Sequence, residues 1–512
     1  MRHRLRVLFA GNIALVIKEL YPYCDTMRIS GWQQWRNRIG PGVIIASLTI
    51  GSGELVFSTR AGALFGYPIL FTFLMICLFK WLLIYTTGRQ MIITGEHPFK
   101  SWMRLPGPRG WLPMIFLLFA LPCFPVWIAF HASTVGSLLN HLVGTPVFFT
   151  YLWGLGVLIL VWGLSHWGSY QKLERVQLVI VGLMLFFVAI TVVLIQPQWL
   201  AILKGMIWPG TYVYPTWITG YPEIAARPVW IELTTYVGIV GGSSYDYLCY
   251  VAFIREKGWG NAGVLSTPEN HSGVRAEHIR EGINCLRWDS VISFCCVFLF
   301  SLVFVVCGHV VLAEQSLVPS GGDLLTLQAT FVSGHHPWLR GLYYVAAVLA
   351  MFGTLYGTLE VGPAIATELS LAMDFKTLTQ AKGLWRGRIV NGLIAGSILV
   401  ISLLALDQLI QPDKQRVGFL WILTPANLFT GVMGCGMALL ATLWVASHAK
   451  DRGQVFVGNT WKPLVALGGI LFLALGIKGY WDHGAYQSLI ILAATFLIGG
   501  GCAKALAYRR SN

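Results

Sequence analysis

The chain has 512 residues, 56% apolar and only 11% charged, with a mean hydropathy of +0.66, which excludes a soluble enzyme and makes its length a count of membrane spans. The formal net charge of +14 does not point to nucleic acid, because the lysines and arginines lie between apolar runs, where loop charge sets orientation in a bilayer. Ten cysteines without a CxxC pair, most of them inside apolar runs, exclude a disulfide framework and a thiolate metal site.

Residues 1–35 are basic and hold one short apolar patch, "VLFAGNIALVI", with no small-residue cleavage site after it. They read as a cytoplasmic tail or an amphipathic surface helix, and Met27, just ahead of "RISGWQQWRNRIGPG", is a candidate alternative start. Twelve apolar spans follow, at roughly 41–63, 67–93, 112–139, 146–166, 173–196, 229–254, 288–313, 338–365, 388–406, 418–446, 463–479 and 485–507. Each is near the length of about 20 helical residues that a bilayer core takes. Basic residues crowd the loops after even-numbered spans, as at Arg104, Arg109, Lys172, Arg175, Arg280, Arg287, Arg386 and Arg388, and are sparse after odd-numbered ones. That asymmetry places both termini in the cytoplasm of a plasma membrane, the inner membrane in a Gram-negative cell.

In the first span, Gly51-Ser52-Gly53-Glu54 interrupts an apolar run. Two glycines weaken a helix by about 1 kcal/mol each, and a carboxylate at that depth costs at least about 2.5 kcal/mol. The sixth span repeats the pattern with Gly241-Gly242-Ser243-Ser244-Tyr245-Asp246-Tyr247. Interrupted helices far apart in a chain, each with an acid at the break, point to the substrate site of a secondary transporter. The spacing of five spans between them predicts an all-α membrane protein with an inverted repeat of five plus five helices, broken at helices 1 and 6. The halves are residues 36–196 and 229–446, with two more helices in 447–512. Segment 197–228, rich in Trp and Tyr, reads as an extracellular loop along the membrane surface, and "GVRAEHIREGINCLRW" as a short helix leading into the seventh span. Lys80, inside the second span, is expected to snorkel or pair.

Several stretches resemble the natural resistance-associated macrophage protein (Nramp) family of divalent-metal transporters: "RIGPGVIIASLTIGSGE", "RAGALFGY", "GRQMIITGE", "YVGIVGGSSYDYLCY", "EGINCLRWDS" and "TLYGTL". The resemblance covers most of the chain and implies the leucine-transporter-like fold of the APC superfamily. The functional motifs depart from it. Where the family has Asp-Pro-Gly-Asn, this chain has Gly51-Ser52-Gly53-Glu54; where it has Met-Pro-His, this chain has Tyr245-Asp246-Tyr247. The third span also has no acidic residue for the family's proton route, whereas Arg386 and Arg388 resemble the basic pair opening its ninth helix.

The residues therefore predict a site of Gly51, Ser52, Gly53, Glu54, Gly242, Ser243, Ser244, Tyr245, Asp246 and Tyr247, with Glu54 and Asp246 facing each other as metal ligands. Oxygen-only ligands suit hard cations such as Mg²⁺, Ca²⁺ or Mn²⁺, taken as transported substrate with weak or no proton coupling; no cofactor and no catalytic residue is expected. Plainer readings stand beside this one. Asp246 also fits a helix cap, Glu54 an ion pair with Lys80 or an arginine, Tyr245 and Tyr247 packing, Glu360 a second intramembrane acid, and His131 and His309 core groups. "IGSGE" also resembles the Gly-Ser-Gly of amino-acid permeases, in which backbone amides hold a carboxylate, so an amino acid or organic amine is the rival cargo. The expected partners are the lipid bilayer and the cargo, for a monomer that binds no nucleic acid.

Overall fold

The computed structural model describes residues 40–146, 148–167, 170–262, 272–319, 327–329, 331, 337–374, 382–410, 419–448 and 457–511. The basic N-terminal tail and Met27 lie outside them, as does the Ser52 side chain. Every regular element among the described residues is helical. Among the described residues eleven helical stretches are long and apolar enough to cross a bilayer, and the last of them bends part-way along.

These are α1 (Pro41–Phe65), α2 (Ile69–Thr94), α3 (Trp111–Val143), α4 (Phe149–Trp167), α5 (Tyr170–Ile195) and α6 in two halves, α6a (Val229–Ile239) and α6b (Ser244–Lys257). The second half continues with α7 (Ser272–Cys307, then Gly308–Ala313), α8 (Pro337–Ala372), α9 (Lys382–Ile410) and α10 (Phe419–Asn427, Leu428–Met433, Gly434–Ser447). Lys462–Ser511 bends at Gly484 and Ala485, the latter at φ 45°, and so forms α11 (462–483) and α12 (486–511). The stretch expected as a short separate helix before the seventh span is instead part of α7, which runs unbroken from Ser272.

Burial sorts these helices. In their most apolar windows α1 is 94% and α6 83% buried, against 22% for α9 and 17% for the α11–α12 stretch, so α1 and α6 form the centre. The outer helices present Leu160, Leu399, Leu403, Ile491 and Leu497 outward, apolar surface that suits lipid. The chain is an integral membrane protein.

The first span differs from its expectation in form. It is widened rather than unwound: Pro41–Thr49 and Thr59–Phe65 are α-helical and Ile50–Ser58 between them is π-helical. Neither Gly51 nor Gly53 has positive φ. What they supply is close approach, since a Cβ on Gly51 would sit 2.8 Å from the Ala350 carbonyl and one on Gly53 3.0 Å from that of Ile239. Side chains satisfy the carbonyls that a π turn leaves misaligned, with Gln328 Nε2 donating to Leu55 O at 2.7 Å and Thr59 Oγ1 to the same oxygen at 2.9 Å. The α1 start is pinned by Asp289 of α7, which accepts the Gly42 N–H at 2.8 Å and the Tyr250 hydroxyl at 2.9 Å.

Helix 6 is broken outright. Val240 is extended (φ −61°, ψ 131°), and Gly241 and Gly242 take φ of 82° and 99°, conformations that L side chains rarely adopt. Ser243 then caps α6b. Ion pairs clasp both ends of α6. Arg60 of α1 reaches Glu232 at 2.5 Å and donates to Pro319 O at 2.8 Å, with Arg227 3.3 Å from the same carboxylate. At the other end Arg255 pairs with Glu368 of α8, and Lys257 with Glu174 of α5 at 2.6 Å.

Candidate functional site

A small cavity opens at the α6 break. Gly242, Ser243, Tyr245 and Asp246 line it on the α6b side, with Gly238 and Ile239 from the end of α6a. Opposite them stand Leu48 and Thr49, the last α-helical residues of α1 before its π turn. The remaining wall comes from Cys123, Phe124, Trp127 and His131 of α3, with Thr358 of α8 and Thr430 of α10.

Local chemistry explains most of these placements. Ser243 and Asp246 form a reciprocal capping box: the Asp246 carboxylate accepts the Ser243 N–H at 2.6 Å, and Ser243 Oγ accepts the Asp246 N–H at 3.4 Å. Asp246 is thus a helix cap and also the acidic side chain that lines the cavity among the described residues. Tyr245 donates its hydroxyl to Phe116 O at 2.6 Å and packs edge-on to Phe116, which turns its ring into a wall. Thr358 gives its proton to Thr354 O at 2.8 Å, so its 3.4 Å contact with His131 Nδ1 has the ring as donor, leaving Nε2 as the lone-pair nitrogen. Among the described residues that Nε2 has no hydrogen-bond partner.

Of the two acids expected to face each other across the site, only Asp246 lines the cavity. Glu54 is fully buried, does not line the cavity, and accepts the Gly241 N–H at 3.1 Å. Near both acids Lys80 turns inward, fully buried, and its ammonium sits among the carbonyls of the break within electrostatic reach of Glu54 and Asp246. Lys80 therefore does not snorkel, and Glu54 is held by a backbone amide in place of a direct ion pair with it. Gly51, Gly53, Ser244 and Tyr247 are frame rather than wall. Ser244 Oγ donates to Thr430 O at 2.7 Å, and the Tyr247 hydroxyl donates to Gly241 O at 2.5 Å. Glu360 is an ion-pair residue: Arg386 reaches it at 2.6 Å, and Ser165 Oγ donates to it at 2.7 Å. Among the described residues no group of three or more His, Cys, Asp or Glu side chains is placed to hold a metal ion.

The α3 and α10 walls have faint local signals. Pro122 and Pro125 inside α3 remove backbone donors next to Cys123, Phe124 and Trp127. In α10, Pro425 precedes a π-helical turn, Leu428–Met433, that carries Thr430, and such turns recur at functional sites.

Residues 42–478 match the family model described as natural resistance-associated macrophage protein-like. The chain belongs to the Nramp family. Within that family's wider circle, this Nramp protein is 21% identical over 456 residues to the divalent metal cation transporter MntH of Staphylococcus aureus, covering 88% of this chain and 91% of the relative. It is 21% identical over 342 residues to the uncharacterized protein PM0681 of Pasteurella multocida, covering 64% of this chain and 68% of that one. Its fold is similar to the manganese transporter of Eremococcus coleocola in two crystal structures. The one holding an aromatic bis-isothiourea compound gives a TM-score of 0.66 at 16% identity, over 96% of this chain and 99% of that chain. A single-residue variant gives 0.68 at 16% identity, over 95% and 98%. This Nramp chain accordingly has the leucine-transporter-like inverted repeat of five plus five helices, with α11 and α12 added.

Proposed function

We propose that this Nramp protein is a secondary transporter that moves a hard divalent cation, of the Mg²⁺, Ca²⁺ or Mn²⁺ class, by alternating access, with Asp246 as the carboxylate that receives it. The observation that carries the reading is that Asp246 lines the cavity at the broken helix together with the hydroxyl residues Thr49, Ser243, Thr358 and Thr430. Carboxylate and hydroxyl oxygens are the donors such cations take, and discontinuous helices at a repeat interface are where transporters hold their cargo. Relatives named as divalent metal cation transporters support the class. Gly51, Ser52, Gly53 and Glu54 then act as the frame behind the site, with Glu54 steering through the Gly241 amide. Weak or no proton coupling fits an α3 without acidic residues. Loop charge supports both termini in the cytoplasm, segment 197–228 outside, and the plasma membrane as location. The chain works as a monomer in this reading.

A second reading has its own support. Phe124, Trp127 and Tyr245 wall the cavity around a single carboxylate, which suits an organic amine. Calorimetry on the purified full chain with Mg²⁺, Ca²⁺, Mn²⁺ and a panel of amino acids and amines decides between them. Saturable binding of a divalent cation, lost in Asp246→Asn, is the expected result; binding of amines alone overturns the metal reading. Proteoliposome uptake with a pH-sensitive dye tests the coupling, and acidification that tracks cargo entry refutes it.

A further inference from the structure

Lys80 has a geometry that neither the family's motifs nor the transport reading assigns. It lies near the middle of α2, with no exposed surface, and its Nζ donates to three main-chain oxygens: Gly238 O at 3.0 Å, Val240 O at 2.7 Å and Gly242 O at 2.6 Å. An ammonium has three N–H donors, so all of them are used on one five-residue stretch of helix 6. These oxygens are available because the helix stops there. The α6a ladder ends at Ile239, and the positive φ of Gly241 and Gly242 turns the chain so that alternate carbonyls converge while the Gly241 amide points the other way, to Glu54. The end of α6a adds the negative pole of a helix dipole. Convergent carbonyls at an unwound helix end are how such folds hold an inorganic cation.

We propose that the Lys80 ammonium is a tethered resident cation: it fills a carbonyl cage that, without it, is a binding site for a small monovalent cation of the Na⁺, K⁺ or ammonium class. The break in helix 6 is then held closed by the protein's own side chain, and its integrity does not depend on a dissolved ion. A neutral side chain of similar length leaves three buried carbonyls without donors and also blocks the ion. A short one opens the site.

The proposal goes beyond the cargo assignment and is read without knowing the cargo. Purified full-length wild type, Lys80→Ala and Lys80→Met are melted in choline chloride and in NaCl, KCl, NH₄Cl and methylammonium chloride at constant ionic strength. The expected result is a wild type that melts alike in all five salts and a Lys80→Ala protein that gains roughly 3 °C or more, saturably, in at least one small cation. Lys80→Met melts lower than wild type and does not respond. A folded Lys80→Ala protein indifferent to every small cation overturns the proposal. So does a saturable rise of the wild type in Na⁺, K⁺ or ammonium, a measurement that holds even if neither variant folds.

Discussion

Asp246 caps α6b and, in the proposed function, also receives the cargo, and two substitutions pull these roles apart. Asp246→Asn keeps an oxygen that accepts the Ser243 N–H, now 2.6 Å away, and so keeps the cap while removing the charge. The exchange of a charge-assisted bond for a neutral one costs about 1 kcal/mol of stability. Asp246→Ala removes the acceptor as well, stranding a donor at the break, and the loss rises to about 1–3 kcal/mol. Cargo binding does not tell them apart. A unit charge about 4 Å from a carboxylate at an effective dielectric of about 20 gains about 4 kcal/mol per charge, so either substitution weakens binding of a cation by about a thousandfold or more. Calorimetry for affinity and melting of the same preparations for stability give both numbers. The expected pattern is equal loss of affinity in the two variants and unequal loss of stability. If Asp246→Asn binds cargo like the wild type, Asp246 is a cap alone and the site assignment is wrong.

Glu232→Ala strands the Arg60 guanidinium, which is only 1% exposed, and should cost about 3–5 kcal/mol, whereas the double change Arg60→Met with Glu232→Leu should recover most of it; denaturation in detergent that ranks the double variant below the single one refutes this. Gly431→Ala puts a Cβ into the Gly238 carbonyl, a backbone clash between α10 and α6a that should cost about 1–3 kcal/mol, and melting like the wild type would show that the helices can part there. His97, outside the spans, caps a short helix through Nδ1 and meets Leu248 O through Nε2 at 2.9 Å, which fits the neutral ring. Burial pushes its pKa below the ordinary value, against the opposing pull of Glu368 and the Leu248 carbonyl. The unfolded chain therefore takes up a proton that the folded protein refuses, and stability falls as pH drops below about 6.5. His97→Asn should flatten the slope of melting temperature between about pH 5 and 7, and an unchanged slope counts against this account.

Much of this fold is legible because the bilayer reads the sequence by length, and the twelve apolar runs fall on eleven described helical stretches, the last of which bends between two of the runs. The break at helix 6 is legible too, since two glycines followed by Ser243 and an acid three residues later spell a left-handed turn and a cap. Helix 1 is half legible. Gly51 and Gly53 signal an irregularity but do not say which, and the neighbours decide: Ala350, Thr354 and Ile239 crowd in, and the turn widens instead of opening. Glu54 is the residue that local spacing misplaces. An acid amid apolar residues reads as a ligand until Gly241 is known to offer its amide. Phe124, Trp127 and Thr430 are beyond local reading altogether, for their role comes from helices that meet only in the folded protein.

The charges at the break constrain the cargo further. Beside the Lys80 ammonium, the carboxyls of Glu54 and Asp246 can leave at most one net negative charge at the break, where a dication would need two. The balance must come from the hydroxyls of Thr49, Ser243, Thr358 and Thr430 and from retained water. If the proposed hard divalent cargo is right, a cation that keeps part of its water shell, as Mg²⁺ does, suits such a site better than one that takes six to eight oxygens, as Ca²⁺ does. Lys80 enforces this by removing three carbonyls from the set of free ligands. The same lysine that steadies the break thereby narrows what the cavity beside it can hold.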